Sequence, residues 1–204
     1  KDSVSAKELF TIQNNFDGGF RIDKVLDEAG QPLAYFINKT MMRINLEQPL
    51  LPGAQMTFQV DWHYKINDRM SLGGRSGYEY FPKDDNYSYT IAQFYPRMAV
   101  YDDVEGWQNK QFLGRGEFAL SFGNFEVAMT VPEDFIVGAT GTLQNPKDVL
   151  TSKEQLRFEK AKHSFEDPVI IVTQEEAIQK EAHKKRGKAT WTFKADSVRD
   201  FAFA

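Results

Sequence analysis

The chain has 204 residues, 41% of them apolar and 14% aromatic, enough for a packed core in one large all-β domain or two small ones. Its net charge of −4 argues against nucleic acid as the main partner, because phosphate binding wants a basic surface. No apolar run nears the roughly 20 residues that span a bilayer, the first residues do not read as a signal peptide, and the lack of cysteine excludes disulfide stapling.

Period-two alternation dominates the chain from residue 42 onward. Met42, Ile44 and Leu46 form a first short run, and Pro49 and Pro52–Gly53 then break the pattern. In Met56–Lys65 the even positions Met56, Phe58, Val60, Trp62 and Tyr64 are apolar or aromatic, while the odd ones are polar. Successive strand residues point to opposite faces, so this is a strand with one buried and one wet face. Asn67–Tyr89 shows little periodicity and carries Gly73–Gly74, Gly77, Pro82 and Asp84–Asp85–Asn86, which reads as a long loop. Alternation returns in Phe118, Leu120 and Phe122, and again in Phe125, Val127, Met129 and Val131, with Gly123–Asn124 between them as a hairpin signal.

Gln144–Asn145–Pro146 closes another segment. One helix is expected near 174–186: Thr173 caps it, Glu176 stands at the capping-box spacing, and Gly187 stops it. Its apolar content is thin, so it should lie on the surface. The basic cluster Lys184–Lys185–Arg186 with Lys188, preceded by Glu175, Glu176 and Glu181, reads as a solvated face. Trp191 and Phe193 begin the last alternating run. The expected fold is mainly β, an antiparallel β-sandwich or saddle-like sheet with one short surface helix. Without an internal repeat or low-complexity linker, residues 1–204 are expected to form a single β domain.

Few residues suggest chemistry. His63, His163 and His183 are far apart in sequence, whereas a zinc site needs three or four converging ligands, so no metal is expected here. Asp102, Asp103 and Glu105 beside Tyr101 and Trp107 could serve a glycosidase, but adjacent residues of an extended chain point apart. An acidic turn is the plainer reading. Those acids lack the spacing of a calcium loop. Gly73–Gly77 lacks the phosphate-loop pattern, and no serine sits in a G-x-S-x-G elbow. Tyr78, Tyr80, Tyr87, Tyr89 and Trp107 could form a carbohydrate platform or pack across strands.

One set of motifs goes further. Tyr95–Pro96–Arg97–Met98–Ala99–Val100–Tyr101–Asp102–Asp103 is succeeded in order by Gly106–Trp107, Gly116–Glu117–Phe118, Phe125–Glu126–Val127 through Val131–Pro132, Ala139–Thr140–Gly141 and Val198–Arg199–Asp200–Phe201–Ala202. Together these resemble the N-terminal domain of the aminopeptidase N family of zinc metallopeptidases, in a bacterial branch, over most of residues 87–204. Residues 1–65 resemble it mainly in strand pattern.

The resemblance implies a saddle-like antiparallel β domain that precedes a thermolysin-like catalytic domain. The family's zinc motif, H-E-x-x-H with a downstream Glu, and its G-x-M-E-N strand are absent from this sequence. Because the chain begins at Lys1 and ends at Ala204, where the resemblance places the start of the catalytic domain, it reads as a domain cut from a longer polypeptide.

By this resemblance the chain is an accessory, substrate-capping domain. It is expected to be inactive alone and to have no cofactor of its own, with zinc held in the parent's catalytic domain. Its expected partners are that domain and the N-terminus of a peptide substrate, and its expected location is periplasmic or secreted.

The resemblance also implies one substrate-binding residue, Gln93, holding the substrate's α-amino group. An ammonium wants fixed oxygen acceptors, and several together select a chain terminus over an internal peptide bond. Gln93 precedes Arg97 by four residues where the family pattern has five, and in a strand a one-residue slip reverses a side chain's face. Asp102–Asp103 is followed by Val104 rather than by the family's Asp-x-Pro. The alternative function is a β-sandwich module binding carbohydrate or protein.

Overall fold

A computed structural model describes residues 5, 6, 9, 16–111, 119–183 and 187–204. The chain is mainly antiparallel β-sheet with a minority of helix. Its contacts divide it into two compact units, Lys1–Gly77 with Phe94–Ser121, and Tyr78–Gln93 with Phe122–Ala204. Among the described residues, no helix is long and apolar enough to cross a membrane.

In the first unit, β1 (Arg21–Asp27) pairs antiparallel with β4 (Phe58–His63), the strand announced by the 56–65 alternation. The pairing slips between Ile22 and Lys24, and beyond the slip Val25 lies opposite Val60 and is 2% exposed. β2 (Tyr35–Asn38) and β3 (Met41–Ile44) form a hairpin closed by Lys39–Thr40. Lys39 takes the positive φ of 54° that such a two-residue turn requires. Gln111 clamps the turn: its Oε1 accepts from the backbone N–H and hydroxyl of Thr40, at 3.0 and 2.7 Å, and its Nε2 donates to the Asn38 carbonyl. A short helix α1 (Arg69–Leu72) comes next, capped by Asp68, and β7 (Tyr101–Asp102) pairs with β8 (Gly106–Trp107).

The second unit holds nearly all the tightly packed apolar side chains. Ile91, Met129, Val137, Leu143, Leu150, Trp191, Phe193, Ala195 and Phe201 are buried here, against Val25 alone in the first unit, among the described residues. β9 (Gly123–Pro132), β10 (Thr142–Leu143) and β11 (Lys188–Val198) form one sheet in the order β10–β11–β9. Trp191 lies opposite Met129, and Phe193 opposite both Val127 and Leu143, so the alternation of each strand delivers one continuous apolar face. Thr130 and Thr190, joined at 2.8 Å, lie on the polar face.

A second sheet runs β12–β6–β5, from β5 (Gly77–Phe81), β6 (Asn86–Ala92) and β12 (Ala202–Phe203). Residues 138–140 extend it past β12, through the Gly138–Ala204 and Thr140–Ala202 backbone bonds. The chain then turns at Gly141, φ +88°, and enters the other sheet as β10. Only glycine fits there, because a Cβ would stand 2.3 Å from the Lys194 carbonyl oxygen.

Three expectations are corrected. Asn67–Tyr89 is not a loop: it holds α1, β5 and most of β6, whose alternation is carried by tyrosines and so does not register as an apolar period. Gly123–Asn124 is not a hairpin turn. Leu120–Phe122 are not strand, Phe118 lies outside the described residues, and β9 pairs instead with β11. There Asn124 Oδ1 accepts from the backbone N–H of Ser197 (φ +55°), within the irregular stretch between Ala195 and Val198.

The expected helix is α4 (Gln174–Ala182); its projected end at Lys184–Arg186 lies outside the described residues. It is not the only one. The short α2 (Pro146–Val149) and the ten-residue α3 (Ser152–Ala161) precede it, and α3 carries its own capping box from Thr151 and Glu154.

Candidate functional site

Gln93 lies directly after β6. Ile91 and Ala92 are pinned by pairing with Phe203 and Ala202, and one residue later the backbone of Gln93 turns into the left-handed region at φ +54°. Its side chain is exposed. A non-glycine residue in that region is uncommon and costs on the order of 1 kcal/mol. Because Gln93 stands in a bend rather than in a strand, face alternation does not govern where its side chain points. The next residue, Phe94, is tied within the first unit: the Trp62 indole donates to its carbonyl at 3.0 Å, and its ring meets Tyr95 edge-on at 5.1 Å.

The acidic segment is a stapled turn. Asp102 Oδ1 accepts from the backbone N–H groups of Val104 and Glu105, at 3.0 and 2.8 Å, and Oδ2 accepts from Gln108 Nε2 at 2.7 Å. The Glu105 N–H and the Gln108 amide together hold the Asp102 carboxyl below its ordinary range. Glu105 pairs with Lys110 at 2.5 Å. A glycosidase acid needs a raised pKa and free access to the sugar oxygen. Asp102 offers neither, because its oxygens organise the turn. Tyr101 and Trp107 face each other across β7–β8 at 5.3 Å and 73°, both largely exposed.

The four tyrosines come together. Tyr78 and Tyr80 on β5, and Tyr87 and Tyr89 on β6, occupy same-side positions of a hairpin, with ring centroids 4.8–6.3 Å apart. The cluster grades from core to surface. Tyr89 packs on Phe135, and burial pushes its phenol pKa up, while Tyr80 and Tyr87 are exposed by 42% and 43%. The Tyr80 hydroxyl donates to Asp85 at 3.1 Å across the hairpin turn.

The histidines stay apart. His63 Nδ1 lies 2.9 Å from Asp23 on the exposed side of β1–β4, and His183 Nδ1 lies 2.9 Å from the Gln179 carbonyl at the end of α4. His163 is exposed just beyond α3. Among the described residues, no group of three or more His, Cys, Asp or Glu side chains is arranged to hold a metal ion.

Sequence reasoning missed the most organised polar cluster. Glu154, only 1% exposed, accepts from its own N-cap Thr151 at 2.7 Å and from Lys180 of α4 at 2.9 Å. Burial pushes its carboxyl up, but the Thr151 N–H and Lys180 outweigh that and hold it below the usual value. The signal was present as Thr151-x-x-Glu154, the same spacing that reveals α4. Comparison of the chain with known protein families, with curated proteins and with solved structures finds no match.

Proposed function

We propose that the chain is the N-terminal accessory, substrate-capping domain of a zinc-dependent aminopeptidase, with Gln93 contributing to recognition of the substrate's free α-amino group. The observation that carries this reading is the presentation of Gln93: an exposed carboxamide on a left-handed bend at the end of a paired strand. A strand end fixed by pairing is a rigid mount, and a rigid mount is what selective amine recognition needs. The ordered motifs from Tyr95 to Ala202 give the reading its family.

In this proposal zinc and the hydrolytic step belong to a catalytic domain of the same polypeptide, in a periplasmic or secreted bacterial protein. The test uses that longer polypeptide and an aminoacyl reporter. Gln93→Ala should raise KM about tenfold or more with little change in kcat, as loss of one hydrogen bond to a charged group predicts. An unchanged KM removes Gln93 from the site, and a parent polypeptide without a zinc motif ends the family reading.

A second reading rests on the tyrosines. Tyr80 and Tyr87 expose rings 4.8 Å apart, a surface suited to stacking a carbohydrate or to packing against a protein. Calorimetric titration with a glycan panel supports this reading if binding is lost in Tyr87→Ala. Binding that is lost in Trp107→Ala instead places the site on the β7–β8 hairpin.

A further inference from the structure

In the second unit, beside the N-terminal half of β11, lies a cavity of about 500 Å³, within the roughly 300–1,000 Å³ range of small-molecule sites. It exists because β10 ends early. β10 pairs only with Phe193 and Lys194; one step further back, the Asn145 side chain takes over the ladder, donating to the Thr190 carbonyl and accepting from the Thr192 N–H. Beyond that point α2 and the end of α4 approach the strand edge without closing on it, and residues from all three line the cavity.

Its wall carries two kinds of charge and an apolar surface. Lys180 spends one donor on Glu154 and keeps the others. Lys188 and Asp148 are exposed and have no ion pair among the described residues. Val149, Leu150 and Trp191 supply the apolar part. Trp191 is 3% exposed, and its indole N–H is buried with no acceptor among the described residues.

We infer that this cavity binds a small zwitterion with an aliphatic side chain, the chemistry of a free amino acid such as leucine. Lys180 and Lys188 attract the carboxylate, Asp148 attracts the ammonium with Glu133 on the same wall, and Val149, Leu150 and Trp191 receive the side chain. The inference is independent of the aminopeptidase reading, since it uses neither Gln93 nor the motifs that suggest the family.

The chain's three tryptophans give three indole N–H signals in a ¹⁵N–¹H spectrum. Trp62→Phe and Trp107→Phe identify the Trp191 signal by elimination and leave the wall of the cavity untouched. L-Leucine should move that signal saturably. N-Acetyl-L-leucine, without the ammonium, and isoamylamine, without the carboxylate, should each bind about tenfold or more weakly.

Lys188→Gln should weaken leucine by a similar factor. Asp148→Asn should weaken leucine but not N-acetyl-L-leucine. A Trp191 signal unmoved at about 10 mM leucine, well above the Kd of a millimolar binder, overturns the site. Equal responses to leucine and N-acetyl-L-leucine overturn its zwitterionic character.

Discussion

Glu176 and Arg157 join two helices that each carry a reciprocal cap. Glu176 closes the capping box of α4 through the Thr173 N–H at 3.0 Å and also takes both guanidinium nitrogens of Arg157 on α3, at 2.5 and 3.0 Å. Glu154 does the converse: it closes the box of α3 and takes Lys180 from α4. Each helix start is therefore tied to a cation from the other helix, so the carboxylate that closes each cap also carries an ion pair between the helices.

The first lock predicts a pH dependence. The Arg157 hydrogen bonds, then the Thr173 N–H, hold the Glu176 carboxyl at about 2 against an ordinary 4.5. A depressed carboxyl stabilises the fold fully above the ordinary value, and that contribution is lost as pH falls from 4.5 through about 2. Thermal melts of wild type and Glu176→Gln should differ at pH 6 and converge toward pH 2. A constant gap across that window would assign the effect to something other than the titration of Glu176.

The second lock is the more buried. Lys180→Ala leaves the Glu154 carboxylate, 1% exposed, without its counter-charge, and should cost about 3 kcal/mol. At roughly 2–4 °C per kcal/mol, the melting temperature should fall by about 6–12 °C. Thr173→Ala, which removes a cap but no buried charge partner, should cost only about 1 kcal/mol. Equal losses in the two variants would contradict the burial argument.

Gly141→Ala should destabilise by about 2–4 kcal/mol in urea, because it adds both a left-handed strain and a carbonyl clash. Gly30→Ala shares the positive φ of 77° but meets nothing within 4 Å, so it should cost about 1 kcal/mol. The difference between them measures the clash.

Gln93→Gly should leave the melting temperature unchanged or slightly raised. Relief of the φ of +54° offsets the roughly 0.5–1 kcal/mol that glycine costs elsewhere. Gln93→Val, β-branched, should lower stability by about 1–2 kcal/mol. A loss in the glycine variant would mean that the side chain itself holds the fold together.

The strands that pack a face were legible: the alternation at Met56–Lys65 becomes β4, that of Phe125–Val131 becomes β9, and Trp191 with Phe193 lies at the centre of β11. The helix at Thr173 was legible through its cap. Features that rest on distant partners were not. β12 is two residues long and exists because Ala202 and Phe203 meet Ala92 and Ile91. α3 buries only Glu154 tightly, so no apolar stripe announces it. Of the candidate residues, Asp102 declared its turn chemistry in sequence, whereas the left-handed bend at Gln93 and the junction of Lys180, Lys188 and Trp191 depend on where strands stop.

The second unit is interrupted: residues 78–93 enter it, the chain leaves, and it returns only at residue 122. β6 is thus synthesised long before β12, its neighbour in the sheet, emerges from the ribosome. The nascent tyrosine hairpin must wait with one hydrogen-bonding edge uncovered, and loop-closure entropy makes that delayed pairing slow. Chaperone capture during translation should therefore concentrate on the β5–β6 segment and cease once Phe203 has docked.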